Sequence, residues 1–132
     1  MIKVERVWMQ WNPYGGRMDE IPSTATAFPH RAGNLFKIQY SVDWSDKEGI
    51  EAANHYIDLI TQLYDTMTPY VSSNPREAFL NYRDVDIGSN QKAKVYGRKL
   101  FKNNFIRLVK VKSRVDPGDF FKYEQSIPAS LK

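Results

Sequence analysis

The sequence predicts an α+β fold. Three observations predict it: stretches near residues 3–9, 35–44 and 79–84 in which side chains alternate as on strands, a helical pattern opening at Ser45, and apolar residues from Phe105 to Val115 that suggest a further helical piece. At 132 residues the chain has one-domain size and can enclose a single core. Its hydrophobic share of 42% and charged share of 26% are those of an ordinary globular protein.

In chain order, residues 3–9 read as a short strand with mixed faces, Val4, Arg6 and Trp8 on one side and Lys3, Glu5, Val7 and Met9 on the other. Trp11-Asn12-Pro13-Tyr14-Gly15-Gly16 then breaks the pattern. Paired glycines beside aromatics suit either a backbone that approaches something flat or a tight loop over the core. Residues 21–33 form a long irregular connection with two prolines, and loops of that length are often functional or pinned by a partner.

Residues 35–44 are the clearest strand. Phe36, Ile38, Tyr40, Val42 and Trp44 make a core face, while Lys37, Gln39, Ser41 and Asp43 make a polar one. Ser45-Asp46-Lys47-Glu48 is a capping box. It opens a helix with apolar residues at Ile50, Ala53, Ile57, Ile60, Tyr64, Met67 and Val71, widened by Tyr56, Leu59 and Leu63, and Pro69 should end it near Thr68. Residues 79–84 read as a third strand, with Leu80, Tyr82 and Asp84 on one face and Phe79, Asn81 and Arg83 on the other. Two strands joined through a helix invite a right-handed parallel crossover. A basic helix follows over 91–102, in which Val95, Tyr96, Lys99 and Phe101 make no clean stripe. A second helical piece runs from Phe105 to Val115, and Asp116 caps a short turn before an extended tail.

Composition narrows the chemistry. The chain has no cysteine, which excludes disulfides, thiolate nucleophiles and cysteine-held metals or cofactors within it. His30 and His55 stand at no metal-ligand spacing, so no metal site is expected. Residues 1–88 carry 8 Lys and Arg against 12 Asp and Glu, whereas 89–132 carry 11 against 3. The basic segment has no nucleic-acid motif beside it and reads as a solvated helix face or a surface over an acidic neighbour. No run has the length and apolarity of a membrane span, and no secretory leader is expected. The phenol of Tyr82 can do proton chemistry if its pKa falls from about 10 toward working pH, and a lysine nearby would favour the tyrosinate.

Several stretches together carry a resemblance: Trp11-Asn12-Pro13-Tyr14-Gly15-Gly16, Phe28-Pro29-His30-Arg31-Ala32-Gly33-Asn34, Leu80-Asn81-Tyr82-Arg83-Asp84, Phe101-Lys102-Asn103-Asn104-Phe105, Val115-Asp116-Pro117, and Glu124-Gln125-Ser126-Ile127-Pro128. In this order the chain resembles the C-terminal region of the plant berberine bridge enzyme-like family of FAD-linked oxidoreductases, over nearly its whole length. The resemblance implies a berberine-like C-terminal domain over 1–132: an antiparallel-sheet portion of a substrate domain backed by helices, and a C-terminal helical segment that in the family packs on the FAD domain. It implies FAD as cofactor, a small-molecule substrate, and an FAD domain in cis, with no nucleic acid and no membrane as partners.

The resemblance also assigns roles. Tyr82 corresponds to the base that deprotonates substrate as hydride leaves for the flavin, Lys37 and Gln39 to active-site side chains that tune it or orient substrate, and Asn81 to a residue beside the flavin. The FAD domain and its tethering residues are expected to lie outside this chain, which alone should be inactive. The loop after Gly88 is short for the family, and Lys122-Tyr123 stands where Arg-Asn is commoner. The family usually enters the secretory pathway, so localisation stays open. Two readings result: the substrate-side domain of an FAD-dependent oxidoreductase, or a truncated, non-catalytic remnant or interaction module without flavin.

Overall fold

The computed structural model describes residues 6–82, 84–89 and 92–131. The chain falls into two compact units, one of residues 1–13 with 36–73, the other of 14–35 with 74–132.

In the first unit, β1 (Val7–Pro13) and β2 (Phe36–Val42) pair antiparallel, with Val7 opposite Val42, Gln10 opposite Gln39 and Pro13 opposite Phe36. Opposed residues share a face, so the alternation in sequence sorts the ribbon. Val7, Met9 and Trp11 lie with Ile38, Tyr40 and Val42, while Trp8, Gln10 and Asn12 lie with Lys37, Gln39 and Ser41. The first strand continues through Trp11-Asn12-Pro13, where the sequence suggested a break. Pro13 closes it at the terminal position, where a missing N–H costs least. Residues 3–5 lie outside the described residues.

α1 (Gly49–Met67) covers the apolar face, with Tyr64 edge-on to Tyr40 at 6.4 Å between ring centroids and Tyr56 stacked on Trp44 at 6.3 Å. The capping box forms as expected, ahead of one 3-10 turn that leads into α1: Ser45 Oγ accepts from the Lys47 N–H, and the Ser45 N–H donates to Glu48 at 2.8 Å. Pro69 stands in the first positions of the 3-10 turn Thr68–Tyr70, beyond the end of α1. The inward stripe runs Ala53, Tyr56, Ile60, Leu63, Tyr64, Met67. Ile50 and Ile57, expected in it, face outward at 74% and 47% exposure, because their phase on the helix is set by the neighbours that pack.

The second unit holds the closed core. α2 (Ala93–Phe101) buries Ala93, Tyr96, Gly97, Leu100 and Phe101, and α3 (Phe105–Val115) adds Phe105 and Val109. The spacing 93, 96, 97, 100, 101 is a clean helical stripe. It is hidden in the sequence because Val95, apolar but exposed, and a glycine both mislead. Gly97 faces the ring of Phe105 so closely that a Cβ would overlap it. Phe101 and Phe105 stack with planes 10° apart. Asn104, between the helices, donates to the Ser23 carbonyl at 2.8 Å and the Thr26 carbonyl at 2.9 Å, pinning the long loop of residues 21–33. Past α3, Asp116 caps its turn as expected, accepting from the Phe120 and Phe121 N–H groups at 2.9 and 3.0 Å.

Among the described residues, the third expected strand does not form. Residues 79–82 form a turn, closed by the Tyr82 N–H on the Phe79 carbonyl at 3.0 Å, so the proposed sharing of faces does not hold. Arg83 lies outside the described residues. A strand needs a ladder partner, and here side chains take that place. Gln125 Nε2 donates to the Asp84 and Gly88 carbonyls at 2.6 and 2.8 Å, and Asp84 Oδ1 accepts from the Asp86 N–H at 3.0 Å. With no strand there, the helix joins no parallel pair, and the observed sheet is an antiparallel ribbon of two. Among the described residues, no helix is long and apolar enough to cross a membrane.

Candidate functional site

The residues singled out from sequence fall in both units. Lys37 and Gln39 stand two apart on β2, half-buried, on the face opposite α1. Strand alternation puts them there, and the register adds neighbours the sequence did not reveal: Asn12 opposite Lys37 and Gln10 opposite Gln39. Gln10 Nε2 donates to Asn12 Oδ1 at 3.3 Å, which orients the Asn12 amide and leaves its buried Nδ2 with no partner among the described residues. This face therefore presents one ammonium and three carboxamides side by side. They can donate to an oxygen-bearing ligand and, through the amide oxygens, accept from it.

Asn81 and Tyr82 belong to the other unit, adjacent in the turn of residues 79–82, with Asn81 exposed and Tyr82 half-buried. A series of edge-on rings runs behind this turn. Phe79 meets Tyr82 at 5.1 Å, Phe28 meets Phe79 at 5.9 Å, and His30 meets Phe28 at 5.3 Å, with planes 79° to 88° apart. A cavity of about 410 Å³ opens beside them, walled by Tyr14, Phe28, His30, Phe79 and Asn81 among others.

His30 joins the rings to a charge cluster that no local pattern signals. Glu77 takes His30 Nδ1 at 2.8 Å and Asn34 Nδ2 at 2.9 Å on one oxygen, and Lys102 Nζ at 2.6 Å on the other. Burial, the largest single influence, works against its ionisation. The hydrogen bonds from His30, Lys102 and Asn34, with the charge of Lys102, outweigh it and hold the carboxyl at about 2. Glu77 is thus an anion at any working pH. His30 and Asn34 come from a stretch more than forty residues away, which is why no local pattern revealed them. Among the described residues, no group of three or more His, Cys, Asp or Glu could hold a metal.

Residues 78–128 match the family model described as berberine and berberine-like. The curated protein berberine bridge enzyme-like 14 of Arabidopsis thaliana is 63% identical over 96% of this chain, which spans 25% of that relative. Among solved structures, berberine bridge enzyme-like 28 from Arabidopsis thaliana superposes with a TM-score of 0.85 at 45% identity, over 91% of this chain and 26% of its own. Phl p 4.0202, a glucose dehydrogenase, gives 0.85 at 44%, over 94% and 26%. The chain thus spans about a quarter of the length of the relatives it matches. A sequence match along nearly all its residues and a shared α+β fold lead to one conclusion: the chain belongs to the plant berberine bridge enzyme-like family, a family of FAD-linked oxidoreductases.

Proposed function

We propose that the chain, residues 1–132 taken as one berberine-like C-terminal domain, is the substrate side of an FAD-dependent oxidoreductase that oxidises a small organic molecule. The observation that carries this reading is the polar face of β2, where Lys37 and Gln39 stand together on the side α1 leaves open. Tyr82 acts as general base, its phenolate taking the proton from the substrate hydroxyl. Lys37 and Gln39 take the roles that the family resemblance implies, tuning that base or orienting the substrate. Asn81 lines the flavin.

The residues present fit such a group in part. In the second unit the exposed carboxamide of Asn81 is a donor suited to the carbonyl-rich edge of a flavin's isoalloxazine ring. With no cysteine, a thiol tether to the flavin must come from the remainder of the protein, which supplies the FAD domain in cis. When bound, the flavin supplies the hydride acceptor that none of these side chains can be. Glucose dehydrogenase activity is stated of Phl p 4.0202. For this chain the substrate class is left at a small molecule bearing an oxidisable hydroxyl.

The test is rapid-mixing measurement of flavin reduction in the flavin-loaded protein containing this chain. Tyr82→Phe should slow reduction by about two orders of magnitude or more, and near-normal reduction would remove Tyr82 as base. A second reading, a remnant or interaction module without flavin, is favoured by the first unit, in which no described residue is fully buried. Purified chain that retains no visible flavin band after FAD is added and the unbound excess removed, with none restored by joining the upstream protein, would favour it.

A further inference from the structure

We propose that Glu77 is a positioning residue for the Tyr82 phenol, acting through His30 and the ring series Phe28, Phe79 and Tyr82. The inference rests on the reading of Tyr82 as base and names what holds it. The Tyr82 backbone is in a turn, and its ring meets that of Phe79 edge-on. Phe79 in turn meets Phe28 edge-on, and Phe28 meets His30 edge-on. Perpendicular ring contacts are directional, since the positive edge of one ring seeks the negative face of the next, so each ring limits the tilt of its neighbour.

The series ends on a group that cannot drift. His30 is 6% exposed and its Nδ1 lies 2.8 Å from the Glu77 carboxylate, which also grips Asn34 and Lys102. Glu77 is therefore attached to Tyr82 twice, by five residues of backbone and by three rings. The same carboxylate joins the loop of residues 28–34, which carries the Phe28 and His30 rings, to Lys102 at the end of α2. A neutral amide of the same shape keeps the volume but loses the charge and one acceptor oxygen, which weakens the hold on Lys102 and His30. The ring series then loses its anchor at the His30 end, and a misplacement of the phenol by about an ångström is enough to cost on the order of a hundredfold in rate.

The experiment compares two tyrosines of the same unit by carbon-13 tyrosine NMR on the full chain. Tyr96 is the internal reference, fully buried with its hydroxyl 2.5 Å from the Ser126 carbonyl. In Glu77→Gln and in Phe79→Leu, the Tyr82 ring resonances should move and average while those of Tyr96 stay in place. Tyr82 unmoved, or Tyr82 and Tyr96 moving together as in a general loosening, would overturn the proposal. In the flavin-loaded protein, Glu77→Gln should slow flavin reduction about ten- to a hundredfold at unchanged flavin content, with Glu77→Asp in between. Reduction at the native rate would overturn it as well. Normal reduction in Tyr82→Phe would remove only the base reading, because the resonance comparison needs neither flavin nor substrate.

Discussion

The unit with the most regular structure is the least buried. β1, β2 and α1 satisfy their backbones by ladder and helix, yet none of their described residues is fully buried, and Trp8, Trp11 and Ile50 stand open to solvent. The other unit has two short helices and long irregular segments, and it encloses Ile87, Ala93, Tyr96, Leu100, Phe101, Phe105 and Val109. Hydrogen-bonded regularity and burial are separate achievements. A ribbon of two strands under one helix has a single interface, and closure needs layers on more than one side. In the second unit, loops become layers because Asn104, Gln125 and Tyr96 hydrogen-bond their carbonyls.

The largest expected effect tests that contrast directly. Phe105→Ala should cost about 3–5 kcal/mol, the range for emptying a large aromatic site in a closed core. Ile60→Ala, on the half-buried stripe of α1, should cost about half of that or less. Denaturant titration read by amide exchange in each unit measures both. Equal losses would mean that the first unit is as well packed as the second.

Acid should separate the units next. The Glu77 carboxyl falls from 4.5 to about 2 on folding. A depressed carboxylate contributes stability that is complete above pH 4.5 and lost as pH falls toward 2. The difference corresponds to about 3 kcal/mol in the second unit. Glu77→Gln should flatten this acid limb, and an unchanged limb would remove the cluster as its source.

Two substitutions around α2 follow. Tyr96→Phe removes the donor to the Ser126 carbonyl and leaves a buried acceptor unmet, at about 1–3 kcal/mol. Burial first, then the nearby charges of Tyr123 and Asp119, push the Tyr96 phenol up to about 12, so the native protein should also resist its ionisation until well above pH 10. Gly97→Ala drives a Cβ into the Phe105 ring, which is stacked on Phe101, and should cost about 1–3 kcal/mol by overpacking. Thermal unfolding read by near-UV dichroism follows both.

What could be seen beforehand divides along the same line. The capping box at Ser45, the alternation that puts Lys37 beside Gln39, and the cap at Asp116 are local patterns, and each formed. The third strand at residues 79–84 failed because alternation says nothing about whether a ladder partner exists, and Gln125, over forty residues away, took that role. The α2 stripe was missed because an exposed valine outweighed a buried glycine in any reading by side-chain type. The residues around Tyr82 are legible only as a family pattern, since His30, Asn34, Glu77 and Lys102 meet through tertiary contacts.

The smallest expected effect lies where the pattern was plainest. Ser45→Ala removes the acceptor of the capping box and should cost about 1 kcal/mol, the ordinary worth of an N-cap. The Glu48 half of the box remains, because its carboxylate also takes Arg6 at 2.5 Å, and that guanidinium, with the Ser45 N–H, holds its pKa below the usual range. Both partners are partly exposed, so the pair should weaken with salt where the buried cluster at Glu77 does not. Raising salt from low to about 1 M, where the screening length is roughly 3 Å, should therefore deepen the Ser45→Ala loss. A loss independent of salt would show that Ser45 alone starts the helix, with Arg6 and Glu48 adding nothing.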